Sequence, residues 1–149
     1  MAAAIAADRV TLARRIDALR EARARPAWGD DDALNDHVAT CIHHWYGAAE
    51  SVLERVVRAF EGSVPAGERW HNELLDQAAL ELPGIRAAVL RDPTRDALRK
   101  VLAFRHFFRH AYAVSWERDR LELAVADCLS AAPLLDADLD ALLARLTAA

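Results

Sequence analysis

The chain has 149 residues, the length of a single domain, and 54% of them are apolar, enough for a core of its own. It contains 33 alanines and 20 leucines, against 18 valines, isoleucines and threonines together, with only 5 glycines and 5 prolines. This composition excludes a predominantly β protein, and 28% charged residues with a formal charge of −4 exclude a chain without a core. We expect one soluble all-α domain, 1–149, folded as a bundle of five or six helices.

Periodicity, caps and breakers predict the helices in chain order. The first is an N-terminal basic helix within 1–30 that ends before Pro26, and Asp30, Asp31 and Asp32 provide the cap and favourable charge for a long second helix. Gly62 to Gly67 ends the second helix. The predicted helices span 8–25, 33–61, 68–80, 93–113, 116–131 and 134–147.

Proline and glycine mark the boundaries of the later helices. Leu82-Pro83-Gly84-Ile85 breaks the third helix, and no element is assigned from there to Leu90. Asp92 is predicted as an N-cap before Pro93. Ser115 is predicted as the next cap, with Trp116 and Glu117 in the first turn, and Pro133 separates the last two helices.

The sequence argues against a disulfide, a metal site, a secretory signal and a membrane span. Cys41 and Cys128 have no paired spacing, which argues against a disulfide or zinc site. Glu68 and His71 form one Glu-x-x-His, whereas a di-iron bundle needs two. We therefore expect no metal and no cofactor. The alanine-rich start, 2–7, lacks a basic flank and precedes Asp8, so it fits neither a secretory signal nor a membrane span. We expect a cytoplasmic protein without membrane association.

Positive charge is concentrated in two stretches although the net charge is negative. Residues 1–25 hold six arginines and three acids, and residues 91–120 hold eight basic and four acidic side chains. A polyanion responds to this local field, so the net charge does not exclude a nucleic-acid partner.

The informative segment is 104–112, where one helix face is apolar and the other polar. No acid occurs between Asp96 and Glu117, whereas a solvated face in this chain would be expected to mix acids with arginines. The polar face comprises Arg105, His106, Arg109, His110 and Tyr112, and the apolar face comprises Phe107, Phe108 and Ala111.

This polar face suits a phosphodiester chemically. Guanidinium groups bind phosphate oxygens, imidazole transfers protons near neutral pH, and a phenol can stack or hydrogen-bond. Arg105 and His110 lie about 140° apart around a straight helix, so they cannot both point at one small site. Either the helix is irregular, or the substrate lies across it, or a second copy completes the site.

A second constellation lies in the long helix. His43, Tyr46 and Glu50 follow the i, i+3, i+7 spacing that puts three side chains on one face, in an otherwise apolar region. They could belong to a functional site. A hydrogen-bonded polar cluster inside the bundle is the interpretation favoured by the residues alone.

The pattern Arg105-His106-x-x-x-His110-x-Tyr112 resembles the R-x-x-x-x-H-x-Y signature of HEPN-domain ribonucleases, specifically the HepT-like toxins. Further runs resemble one HepT-like subgroup in order and spacing, and His43, Tyr46, Glu50 and His71 match its polar positions. The resemblance is strongest over 33–131. The runs are Ser63-Val64-Pro65-x-x-x-x-Trp70-His71-x-Glu73-Leu74-Leu75, Leu82-Pro83-Gly84-Ile85-Arg86 and Phe104-Arg105-His106.

The resemblance implies a HEPN helical bundle that forms a homodimer, with the motif helices of two protomers meeting in a cleft. It implies a toxin-type endoribonuclease of a toxin–antitoxin system that cleaves tRNA or mRNA without a metal, by attack of the 2′-hydroxyl on the adjacent phosphorus. His110 would be the general acid or base, and Arg105 would stabilise the developing charge. A nucleotidyltransferase antitoxin would inactivate it by transferring AMP to Tyr112.

Other roles are inferred from charge and position. His106, Arg109 and the basic first helix are candidates for RNA contacts. His71 is more suited to packing and orientation than to chemistry. Many family members have asparagine where His106 stands, and some HEPN proteins are not enzymes. The alternative is therefore a non-catalytic HEPN module that binds a nucleotide, RNA or a partner protein. A helical bundle without a ligand would leave the cationic face unexplained.

Overall fold

A computed structural model describes residues 1–110 and 116–148, and for Arg109 and His110 it describes the backbone alone. The all-α prediction is confirmed, since the described residues form five helices and no strand. The helices are α1 (Ala2–Arg23), α2 (Asp32–Glu61), α3 (Trp70–Ala79), α4 (Asp92–His110) and α5 (Arg118–Ala148).

α1 and α2 form an antiparallel hairpin. The Asp31 side chain caps α2 by accepting a 2.9 Å hydrogen bond from the backbone N–H of Leu34, and Asp8 of α1 pairs with Arg55 of α2 at 3.1 Å. The predicted start of the first helix at residue 8 is wrong, because α1 begins at Ala2. Alanine is the strongest helix former, so a run of alanines extends the helix without an amphipathic pattern.

Glycine and proline end α2 and α3 as predicted. Gly62 adopts a left-handed conformation with φ 78°, and its N–H donates to the carbonyl of Arg58 at 2.9 Å. After α3, the backbone N–H of Ile85 donates to the carbonyl of Leu82 at 2.9 Å, with Gly84 at φ 79°. This is a type II turn, in which Pro83 and Gly84 occupy their preferred positions.

The turn after α3 is fixed to α2 by a buried ion pair. Arg86 donates to one carboxylate oxygen of Glu61 through Nε at 2.8 Å and Nη2 at 2.6 Å, and its side chain is only 3% exposed. The same guanidinium donates to the backbone carbonyls of Gln77 and Leu80, each at 2.7 Å. Residues 80–90 therefore have a defined path although they form no helix.

α5 is one continuous helix through Pro133, so the predicted separation into two helices at that proline is wrong. Pro133 is exposed, while Ala131 and Leu135 on either side are buried in the core. Packing of the flanking turns offsets the missing backbone hydrogen bond. Trp116 and Glu117 precede α5 rather than forming its first turn, and the predicted cap Ser115 lies outside the described residues.

The other predicted boundaries agree closely. α4 begins at Asp92, which lies in its first turn rather than before it, and the predicted end of this helix, 111–113, lies outside the described residues. Arg91 precedes α4 and is anchored to α5, because its backbone N–H donates to the buried carboxylate of Asp138 at 3.0 Å.

α2 is the central helix and packs against the other four. Trp45, Ile42 and Leu53 of α2 are almost completely buried in the core. Within the described part of the chain, α1 packs on α2 and α5 but not on α3 or α4. The basic first helix and the α3–α4 side therefore occupy different flanks of α2. No described helix combines the length and apolar character that a membrane span requires.

Candidate functional site

One buried carboxylate connects three helices. Glu50 of α2 is 5% exposed, and its Oε2 accepts a 2.7 Å hydrogen bond from Nη1 of Arg105 on α4. Its other oxygen, Oε1, contacts Nδ1 of His71 at the start of α3. A carboxylate only accepts hydrogen bonds, so an ionised Glu50 requires His71 to donate from Nδ1, and a neutral ring would then present Nε2 as an acceptor.

Tyr46 lies one helical turn before Glu50 and supports the Arg105 guanidinium. The Cζ atom of Arg105 lies 5.3 Å from the centre of the Tyr46 ring, a cation–π contact. Burial raises the pKa of the Tyr46 hydroxyl, the charge of Glu50 raises it further, and Arg105 opposes both effects. Tyr46 is therefore a neutral phenol. Its buried hydroxyl has no hydrogen-bond partner among the described residues.

Three rings are in contact beside the buried carboxylate, and the middle one, His71, also contacts Glu50. The centres of the Trp70 and His71 rings lie 3.8 Å apart with the ring planes tilted by 30°. The His71 and His106 rings meet edge to face with their centres 5.4 Å apart. His71 is buried and His106 is half-buried. A proton-binding ring on the partly exposed surface thus contacts a ring that Glu50 orients.

The ring of His43 contacts other rings. Its ring centre is 5.4 Å from that of Phe108 and 5.8 Å from that of His44. Phe108 in turn stacks on Trp116 at 5.9 Å. The three side chains predicted on one face of α2 therefore have different neighbours. Tyr46 and Glu50 contact Arg105, whereas His43 contacts aromatic residues.

The side chain of Arg105 is 14% exposed. Its Nε atom is buried without a hydrogen-bond partner among residues 1–110 and 116–148. The predicted phosphate-binding arginine is thus held by Glu50 and Tyr46, with a small part of its side chain at the surface. The side chains of Arg109 and His110 and all of Tyr112 lie outside the described residues.

The basic first helix does not adjoin these residues. Arg9 of α1 pairs with Asp136 at 2.8 Å and with Asp140 at 2.6 Å, both on α5. Arg20 pairs with Asp17 on its own helix at 2.8 Å. Part of the positive charge in 1–25 therefore has an acidic partner, on a flank of α2 away from α3 and α4.

The chemistry available at the site comes from arginine, histidine and tyrosine. In the described ranges, no three His, Cys, Asp or Glu side chains are grouped as a metal-binding cluster. Cys41 and Cys128 are free, buried thiols, and burial raises the pKa of each.

Six residues predicted from the sequence as site residues lie on adjoining parts of α2, α3 and α4. They are His43, Tyr46, Glu50, His71, Arg105 and His106. The sequence did not predict a role for Trp70, whose ring covers His71. The available signal was its position directly before a histidine at a helix start. The pairing of Glu50 with Arg105 was also missed, because helical periodicity specifies a face and not its partner.

Comparison with known proteins identifies the family of the chain. A family model described as HepT-like protein matches residues 37–146, well over half of the chain. No curated protein and no solved structure matches the chain.

Proposed function

This chain belongs to the HepT-like family of HEPN proteins, and on that premise we propose that it is a toxin-type, metal-independent endoribonuclease of the cytoplasm. The observation that carries the proposal is the position of Arg105, which lies on α4 with His110 and whose guanidinium is held by a 2.7 Å contact with Glu50. Arg105 and His110 are the proposed catalytic residues. His106 and Arg109 are proposed to contact the RNA backbone.

In the proposed reaction the ribose 2′-oxygen attacks the adjacent phosphorus and the bond to the 5′-oxygen breaks, leaving a 2′,3′-cyclic phosphate. The 2′-hydroxyl loses a proton and the departing 5′-oxygen gains one, and His110 takes part in this transfer as general acid or base. Arg105 stabilises the negative charge that develops on the phosphoryl oxygens. Since Arg105 and His110 lie about 140° apart around one helix, a homodimer that brings two α4 helices together would provide both groups to one phosphate.

The proposed regulation acts on Tyr112. An antitoxin of the nucleotidyltransferase type would transfer AMP to its hydroxyl, adding a phosphate and a bulky nucleoside two residues after the proposed catalytic His110. The added negative charge would repel RNA phosphate. The partners proposed for this chain are therefore RNA (tRNA or mRNA), the antitoxin and a second copy of itself.

The test is cleavage of tRNA or mRNA by the purified protein in EDTA, with the ends of the products analysed for cyclic phosphate. We expect cleavage by the wild type and none by the His110→Ala variant. The matched control is His37→Ala, because His37 is an exposed histidine of α2 whose nearest partner is the Cys41 sulfur at 3.8 Å. Cleavage that persists in His110→Ala contradicts the mechanism.

One observation favours a second candidate, a non-catalytic HEPN module. Arg105 already has an anionic partner and is 14% exposed, so the arginine could serve to hold α2 and α4 together. Such a module would bind RNA, a nucleotide or a partner protein without cutting. Wild-type protein that binds RNA or AMP but yields no cyclic-phosphate ends would support this candidate over the ribonuclease.

A further inference from the structure

The two oxygens of the Glu50 carboxylate serve two different proposed site residues. Oε2 accepts from Arg105 on α4, and Oε1 contacts His71 on α3. The side chains of Glu50 and His71 are 5% and 9% exposed, so water competes little for either contact. Glu50 itself lies too deep to touch a substrate, and it acts on the surface through its two partners.

We infer that Glu50 is a positioning residue of the site, which sets the orientation of Arg105 and the tautomer of His71 together. The role in catalysis rests on the proposed ribonuclease function. Arg105 is held at Nη1 by Glu50 and against the Tyr46 ring, which restricts rotation of its guanidinium. The guanidinium therefore has a fixed place on α4 before any substrate binds.

The effect on His71 follows from hydrogen-bond chemistry. With Nδ1–H donating to Glu50, the neutral ring has its lone pair on Nε2. The His71 ring meets the His106 ring at 5.4 Å with the two planes nearly perpendicular. His106 is half-buried on α4 directly after Arg105. One carboxylate thus orients two neighbouring residues of the motif helix, Arg105 directly and His106 through His71.

The Glu50→Gln variant separates this role from simple structural support. An amide offers one acceptor oxygen and one donor NH₂ group. Arg105 can only donate, so it takes the oxygen, and the NH₂ group then faces His71 Nδ1. The proton of the neutral His71 ring is therefore expected to move to Nε2. No such change is expected if the carboxylate only fills space.

The experiment records ¹⁵N NMR signals of the His71 ring, at a pH where the ring is neutral, in wild type, Glu50→Gln and Glu61→Gln. Glu61 is the matched control because it is a glutamate of α2 paired with Arg86 outside this site. We expect Nδ1–H in wild type and Glu61→Gln, and Nε2–H in Glu50→Gln. A wild-type ring protonated at Nε2 overturns the inference, and this measurement needs no variant to fold.

The kinetic arm measures RNA cleavage by the folded variants. Glu50→Gln is expected to lower kcat about tenfold or more with KM changed less than about twofold, because Glu50 does not touch RNA. In the Arg105→Ala background Glu50→Gln should cost less than in the wild type, because only its effect through His71 remains. Additive losses overturn the kinetic role. If the wild type cuts no RNA, the ribonuclease proposal fails while the NMR measurement still decides the role of Glu50.

Discussion

Arg105 of α4 and Glu50 of α2 stand 55 positions apart in the sequence and form a 2.7 Å ion pair in which neither side chain is more than 14% exposed. The pair ties the helix of the family signature to the central helix of the bundle. A buried pair costs desolvation, so its net contribution to stability is smaller than the cost of breaking it. Removing one partner should therefore lower the free energy of unfolding by more than the pair contributes to it.

Removal of Arg105 is expected to destabilise the protein strongly. Arg105→Ala leaves the Glu50 charge buried with His71 as its remaining partner, and the free energy of unfolding should fall by about 3–5 kcal/mol. Urea denaturation measures this change. Arg58→Ala is the control, because Arg58 is exposed and lies 3.9 Å from Glu54, and its loss should cost less than about 1 kcal/mol. Equal losses in the two variants would contradict a buried pair at Arg105.

Tyr46→Phe is expected to be neutral or stabilising. The hydroxyl of Tyr46 is buried and finds no hydrogen-bond partner in the described residues, so its removal relieves a desolvation cost while the ring beneath Arg105 is kept. The change in the free energy of unfolding should lie between zero and about 1 kcal/mol in favour of the variant. A loss above about 1 kcal/mol would show that the hydroxyl has a buried partner such as an ordered water.

Pro133→Ala is expected to stabilise α5. Pro133 lacks the N–H that a helix interior uses, and it is exposed, so alanine restores a hydrogen bond without disturbing the core. We expect a gain of about 1–3 kcal/mol, reduced by the greater freedom of the unfolded chain. The midpoint of thermal unfolding followed by circular dichroism tests this. A lower midpoint would indicate that the proline ring packs against α1.

Stability is expected to fall at alkaline pH through Cys128. Burial raises the pKa of this thiol in the folded protein, so the unfolded chain loses the proton first and binds fewer protons. The free energy of unfolding must then decrease as pH rises above the ordinary thiol value of about 8.5. Urea denaturation at a series of pH values measures the slope. Cys128→Ala should have a shallower slope, and an unchanged slope would contradict the assignment.

The helices were predictable from the sequence where a local signal exists. Asp31 as a cap, Gly62 as a left-handed terminus and Pro83-Gly84 in a turn all act within a few residues, and each is found as expected. Pro133 predicted a helix break that does not occur. The packing of the turns on both sides offsets the cost of the proline, and this packing cannot be deduced from the residues next to it.

The candidate site was predictable as a set of residues and not as a set of contacts. Spacing alone put Tyr46 and Glu50 on one face of α2, and the polar strip put Arg105 and His106 on one helix. Their pairing depends on how α2, α3 and α4 cross, which periodicity does not specify. The interpretation of the α2 face as a hydrogen-bonded cluster within the bundle is accurate for Glu50, whose partners include the motif arginine.

Two of the carboxylates of α2, Glu50 and Glu61, hold α3 in place. Glu50 contacts the start of α3 at His71, and Glu61 accepts from Gln77 near its end and from Arg86 beyond it. Both ends of this short helix are thus fixed to α2 by side chains, so its location does not depend on the connecting residues 62–69, most of which are exposed. We therefore expect α3 to keep its position against α2 when residues are inserted into that connection.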